Sequence, residues 1–104
     1  MPILRFGDTA VDLERRTATR GDDAIHLTPI EFRLLRTLAA QLDMVVTHRQ
    51  LLREVWGPTH ESDTHYLRIY MKQLRDKLEA DPARPRHLLT ETGVGYRLRE
   101  AADD

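Results

Sequence analysis

The stretch Ser62–Glu79, SDTHYLRIYMKQLRDKLE, constrains the fold more than any other part of the chain. Leu67, Tyr70, Met71, Leu74 and Leu78 recur at helical spacing, which predicts one long helix with an apolar face. The opposite face carries His65, Arg68, Ile69, Lys72, Gln73 and Asp76, with Arg75 on its flank. Ser62 or Asp63 is expected to cap the first turn by accepting its free backbone N–H groups. Such a helix packs one face on a core and presents cations and an amide on the other. That second face has the chemistry of a helix in a DNA major groove, where Lys and Arg meet phosphate or guanine and Gln meets adenine. A solvated helix with ordinary surface charge has the same composition, so the neighbouring elements have to decide.

Upstream, residues 3–27 read as short strands. Leu4 and Phe6 alternate with Arg5, and Val11 and Leu13 with Asp12 and Glu14. Residues 16–20 suit a third strand and Ile25–Leu27 a fourth. Gly7-Asp8 and Gly21-Asp22-Asp23 supply turns, so a small antiparallel meander with one wet face is expected. His26 reads as a surface or half-buried strand residue. Thr28-Pro29-Ile30-Glu31 opens a helix with a capping box and a proline at the first helical position. Phe32, Leu35, Leu38 and Ala39 line its face, and the helix is expected to end near Leu42-Asp43. A second cap at Thr47 starts a short helix with Leu51, Leu52 and Val55, stopped at Gly57-Pro58. Helix, short helix, polar loop and long helix make a helix-turn-helix with an enlarged turn.

Beyond the long helix, 80–86 holds two prolines and two arginines and reads as an exposed connection. His87–Thr92 and Tyr96–Arg99 are strand-like, and Gly93-Val94-Gly95 joins them as a hairpin. A hairpin in that position is a wing. Its tip can reach a neighbouring minor groove or the backbone, with Thr92 and the N–H groups near Gly93 as donors. Residues 100–104 are expected to fray as an acidic tail.

Length and charge narrow the classes. The 104 residues fit one compact winged-helix domain of the α+β class, spanning 1–104. No long apolar run or secretory leader is read, and cysteine is absent, which fits a reducing cytoplasm. Net charge is −1, but Lys and Arg outnumber Asp and Glu eight to five over residues 63–99, against eight to nine over 1–62. The cations therefore lean toward the long helix and hairpin, as local anion binding requires. Enzyme-like patterns fail on spacing. His60-Glu61 and His65 miss the i, i+4 pairing of a zinc protease by one residue. Ser62, Asp63 and His65 are too close together for a relay. Gly93-Val94-Gly95 is too short to cradle a phosphate. No enzyme, metal or cofactor is expected.

These residues resemble a known family. The order of elements, together with Leu27-Thr28-Pro29-Ile30-Glu31-Phe32-Arg33-Leu34-Leu35, Arg49-Gln50-Leu51-Leu52, Val55-Trp56-Gly57 and Gly93-Val94-Gly95-Tyr96-Arg97, is similar to the OmpR/PhoB family. Its members are winged-helix output domains of bacterial two-component response regulators, and the likeness covers about residues 3–99. The resemblance implies an N-terminal four-stranded antiparallel sheet, three helices and a C-terminal hairpin wing. It implies two copies on direct repeats of promoter DNA. It also implies contact with RNA polymerase through the loop between the last two helices, here Gly57, Pro58, Thr59, His60 and Glu61. The positions of Trp56, His65 and Lys72 are implied to meet the DNA backbone. Gln73 and Arg75 would approach base edges or nearby phosphates, and Thr90, Thr92 and Tyr96 would lie on the wing's DNA side. Many relatives carry Arg where this chain has Gln73, and some carry a minor-groove Arg where it has Thr92. Trp56 has the rival reading of a loop-packing residue, and a winged helix that docks a protein partner without touching DNA is the rival for the whole chain. The receiver domain that a sensor kinase would phosphorylate has no room in this sequence. An expressed output domain or a single-domain relative is therefore expected, and Met1 favours the former.

No heptad seam and no large apolar stripe remain after the core is assigned. The free domain is thus expected to be monomeric, with copies meeting head to tail only on direct repeats. Sedimentation should return a monomer at micromolar concentration; a stable dimer there would contradict it.

Overall fold

The computed structural model describes residues 3–100. Four short strands, β1 (Ile3–Phe6), β2 (Thr9–Asp12), β3 (Thr17–Arg20) and β4 (Asp23–Ile25), form an antiparallel meander in sequence order. Leu4, Phe6, Val11 and Ala18 point into the core from one face, so the expected wet-faced sheet is present. β2 and β4 lie about two residues earlier than the pattern suggested, and His26 falls in the exposed segment after β4.

α1 (Pro29–Ala39) opens on the complete capping box: Thr28 Oγ1 accepts from Glu31 N–H, and the Glu31 carboxylate accepts from Thr28 N–H. The helix stops at Ala39, three residues short of Leu42. The chain turns instead through Asp43, which sits in left-handed geometry (φ 68°) and donates its N–H to Leu98 O at 2.8 Å. Aspartate tolerates that conformation better than most residues. Leu42 still packs against the core from this turn. The turn leads into β5 (Val45–Thr47), a strand the sequence did not announce. Three residues are too few to display a period, and β5 exists because β7 pairs with it, Val46 opposite Tyr96.

α2 (His48–Trp56) follows its Thr47 cap, whose hydroxyl accepts from Gln50 N–H. A one-turn 3-10 helix (Pro58–His60) connects to α3 (Thr64–Leu78). Leu67, Met71, Leu74 and Leu78 are buried, and Tyr70 is half-buried against the core. The capping expectation at the start of α3 is corrected. Asp63 occupies the cap position but makes no capping hydrogen bond, because its carboxylate is engaged by His60 Nδ1 at 2.9 Å.

β6 (Leu88–Glu91) and β7 (Gly95–Leu98) form the wing, and with β5 make a three-stranded sheet in the order β5-β7-β6. The two hairpin glycines serve different ends. Gly93 takes a positive φ of 77°, as the turn needs. Gly95 lies so close to β5 that a Cβ there would overlap the Val46 carbonyl oxygen. The tail expected to fray lies outside the described residues beyond Glu100, which is half-buried.

Polar groups lock the end of α3 to everything around it. Lys77 Nζ meets the fully buried Glu31 carboxylate at 2.6 Å, tying α3 to α1. Arg20 donates to Lys77 O at 2.8 Å, tying α3 to β3. Glu79, 2% exposed, accepts three backbone N–H groups: Arg86 at 3.0 Å, His87 at 3.0 Å and Leu88 at 2.7 Å. A buried carboxylate with three such donors organises the 80–87 connection and the start of β6. Glu79→Ala leaves those N–H groups without their acceptor and is expected to cost roughly 2–4 kcal/mol. Urea unfolding measures it; a loss under about 0.5 kcal/mol would mean that water replaces the carboxylate.

Candidate nucleic-acid interface

Two features meet on one side of the fold: the exposed stripe of α3 and the wing. Along α3, His65, Arg68, Ile69, Lys72, Gln73 and Asp76 are exposed, opposite the buried leucines. Ile69 is 43% exposed, an apolar side chain with no core to join. Lys72 Nζ pairs with Asp76 Oδ2 at 2.9 Å on this surface. Gln73 is open to solvent. Between α3, the wing and the start of α2 lies an open cleft of about 400 Å³. It is lined by His48, Arg68, Arg75, Thr90, Thr92, Gly93 and Tyr96. The structure thus brings six of the expected site residues around one concave surface, with Lys72 and Gln73 on the helix that forms its side.

Arg75 is more occupied than its sequence position suggested. Its Nε donates to Leu88 O at 2.9 Å, and its second terminal nitrogen donates to Thr90 Oγ1 at 2.8 Å. Its guanidinium also lies 5.9 Å from the Tyr96 ring centroid. Burial lowers its pKa from the usual arginine value, while the nearby Tyr96 and Glu79 act in the opposite direction. The residue joins α3 to β6. Tyr96, 5% exposed, anchors the wing beneath it. Burial raises the pKa of its phenol, opposed by Arg75 and Arg68, so the hydroxyl keeps its proton at neutral pH and remains a donor.

Trp56 sits at the end of α2, half-buried. Its ring stacks on Tyr66 at 5.9 Å and tilts against Tyr70 at 5.4 Å, so it packs the α2–α3 corner. His65, in the first turn of α3, lies beside Tyr66. The residues from Gly57 to Glu61 line no part of the cleft. Gly57 ends α2 at φ 105°, and Pro58 and Thr59 are exposed. Glu61 lies 3.4 Å from Arg49 and 3.8 Å from Arg53, which hold the loop against α2.

His48 is the site residue that sequence reasoning missed. Its ring stands edge-on to Tyr96 at 5.5 Å, and its backbone N–H donates to Val94 O at 3.1 Å. The Thr47 cap was legible, but only the β5–β7 pairing brings the first turn of α2 beside the wing. Among the described residues no three His, Cys, Asp or Glu side chains gather as a metal site, and no helix is long and apolar enough to cross a membrane.

The family model described as "Transcriptional regulatory protein, C terminal" matches residues 22–98. The KDP operon transcriptional regulatory protein KdpE of Escherichia coli K12 is 58% identical over 97 residues, covering 93% of this chain and 43% of that protein. Among solved structures, the response regulator DrrB of Thermotoga maritima, an OmpR/PhoB homologue, superposes with a TM-score of 0.78 at 33% identity, covering 94% of this chain and 44% of DrrB. The DNA-binding domain of CpxR from E. coli superposes at 0.76 with 31% identity, covering 98% of this chain and 100% of that domain. The chain spans less than half the length of the curated relatives it matches.

Arg75→Ala removes both hydrogen bonds from the joint between α3 and the wing. It is expected to destabilise the domain by about 1–3 kcal/mol and to speed amide exchange over Leu88–Glu91. Exchange in those residues unchanged from the parent protein would contradict the role.

Proposed function

This chain belongs to the C-terminal transcriptional regulatory protein family of OmpR/PhoB-type response regulators, and on that premise we propose that it binds promoter DNA with α3 in the major groove and the wing beside it. The observation that carries this reading is the cleft, where Arg68, Arg75, Thr90, Thr92, Gly93 and Tyr96 adjoin the exposed Lys72 and Gln73. His65 and Lys72 supply phosphate contacts. Ile69 offers an apolar contact to a thymine methyl, and Gln73 reads a base edge. Thr92 and Gly93 reach the backbone from the wing. Trp56 contributes by holding α2 against α3, with its exposed edge toward the backbone. Arg75 positions the wing and adds positive potential to the cleft.

The likeness to KdpE supports control of the high-affinity potassium-uptake ATPase operon. Two copies sit head to tail on direct repeats, and the free domain is a monomer. The receiver domain of the full regulator carries the phosphorylation by its sensor kinase, and the protein works in the cytoplasm. Residues Gly57 to Glu61 meet RNA polymerase. The exposure of Pro58 and Thr59, the loop's place outside the cleft and the brace from Arg49 and Arg53 support that division of labour. DNase footprinting on the upstream region of that operon tests the assignment. Gel shift against unrelated competitor DNA separates sequence-specific binding from a protein-docking winged helix, which would retard neither.

Lys72 and Gln73 are neighbours with different chemistry. Lys72 is a point charge on a flexible stem, suited to phosphate. Gln73 is neutral, but its amide can pair bidentately with adenine N6 and N7. Lys72→Ala is expected to weaken binding to every sequence and lower the salt slope by about one. Gln73→Ala should leave the slope unchanged and relax preference at one base position by about 1–3 kcal/mol. Affinities for single-base operator variants at several salt concentrations measure both; a uniform loss from Gln73→Ala would remove it as a base reader.

A further inference from the structure

Asp76 is out of place on the surface just described. Residues 65, 69, 72 and 76 follow one another at steps of four, three and four, a single stripe opposite the buried leucines. Asp76 is the acid in that stripe, with a side chain 51% exposed, and its Oδ2 accepts from Lys72 Nζ at 2.9 Å. Helix stability does not explain it. An acid in the C-terminal half of a helix meets the negative end of the dipole. The pair also runs Lys to Asp along the chain, the less favourable order for an i, i+4 ion pair. Exposed pairs of this kind are weak and yield to a stronger partner.

Resting on the DNA-binding reading above, we propose that Asp76 is a specificity determinant that penalises duplexes presenting no amino group to it. An ionised carboxylate only accepts hydrogen bonds. In the major groove the donors are cytosine N4 and adenine N6, whereas guanine O6 and N7 and thymine O4 are acceptors. On a matching site the Lys72–Asp76 pair exchanges both partners: the ammonium moves to a phosphate and the carboxylate accepts from a base amino group. On other sequences the carboxylate faces acceptors or phosphates and is repelled. Lys72 is then held back by Asp76 and neutralises its phosphate only in part. One acid thereby makes a nearby cation conditional on sequence.

The test compares the parent domain with Asp76→Ala on two duplexes. One is enriched by the parent domain from a randomised pool, and the other is shuffled to the same length and composition. Asp76→Ala should tighten binding to the shuffled duplex by up to roughly tenfold at 0.1 M salt, with a slope steeper by about one. Its gain on the enriched duplex should be smaller or absent, so that the specificity ratio falls. Preference should be lost at one position where the enriched site carries cytosine or adenine. An equal gain on both duplexes would reduce Asp76 to general repulsion and overturn the proposal. No change on either would mean that the carboxylate does not face the duplex, and would overturn it too. If the parent domain enriches no sequence at all, the DNA-binding reading itself fails, and that outcome is distinct from both.

Discussion

The last turn of α3 is where the structure is held together. Within three residues of its end, Arg75 binds the wing, Lys77 binds the buried Glu31 of α1, the Lys77 carbonyl takes Arg20 from β3, and Glu79 gathers the amides that start β6. Basic residues suit this place because the carbonyl end of a helix favours positive charge. The buried Glu31 depends on Lys77, since an uncompensated buried carboxylate is costly. The consequence is geometric. The exposed stripe of α3 and the wing cannot shift independently, because both are anchored to the same turn.

Much of this was readable from local patterns. The Thr28 capping box, the Thr47 cap, the alternation in the first sheet and the helical spacing from Leu67 to Leu78 all express interactions a few residues apart. The failures share a cause. β5 forms only because β7 lies beside it, α1 ends early because Asp43 reaches Leu98, and Asp63 leaves its cap for His60. His48 enters the site through that same unannounced strand. The sequence marks Arg75 as a DNA-facing residue and assigns Glu79 no role. Their structural roles come from partners 7 to 15 residues away, across a connection with no period of its own.

The site is mixed in sign rather than simply basic. The whole chain carries a net charge of −1; on the proposed face Lys72 is paired with Asp76, and beside it Arg49 and Arg53 of α2 lie against Glu61 of the loop. Arg75 is withheld by its bonds to the wing. A surface arranged this way has little indiscriminate attraction for polyanions, because each ion pair must be given up before its cation is available. Discrimination then rests on which sequences offer a replacement partner for the acid as well as for the base.

Through Arg75, α3 and the wing form one surface, and it is this surface that is proposed to face DNA. Amide chemical-shift mapping of the labelled domain, on addition of a duplex enriched from a randomised pool, tests it most directly. Perturbations should concentrate over residues 65–76, at His48 and over 90–93, rising together at one stoichiometry, with β1 to β4 unmoved. Perturbations confined to the β1–β4 sheet, with α3 and the wing silent, would contradict it.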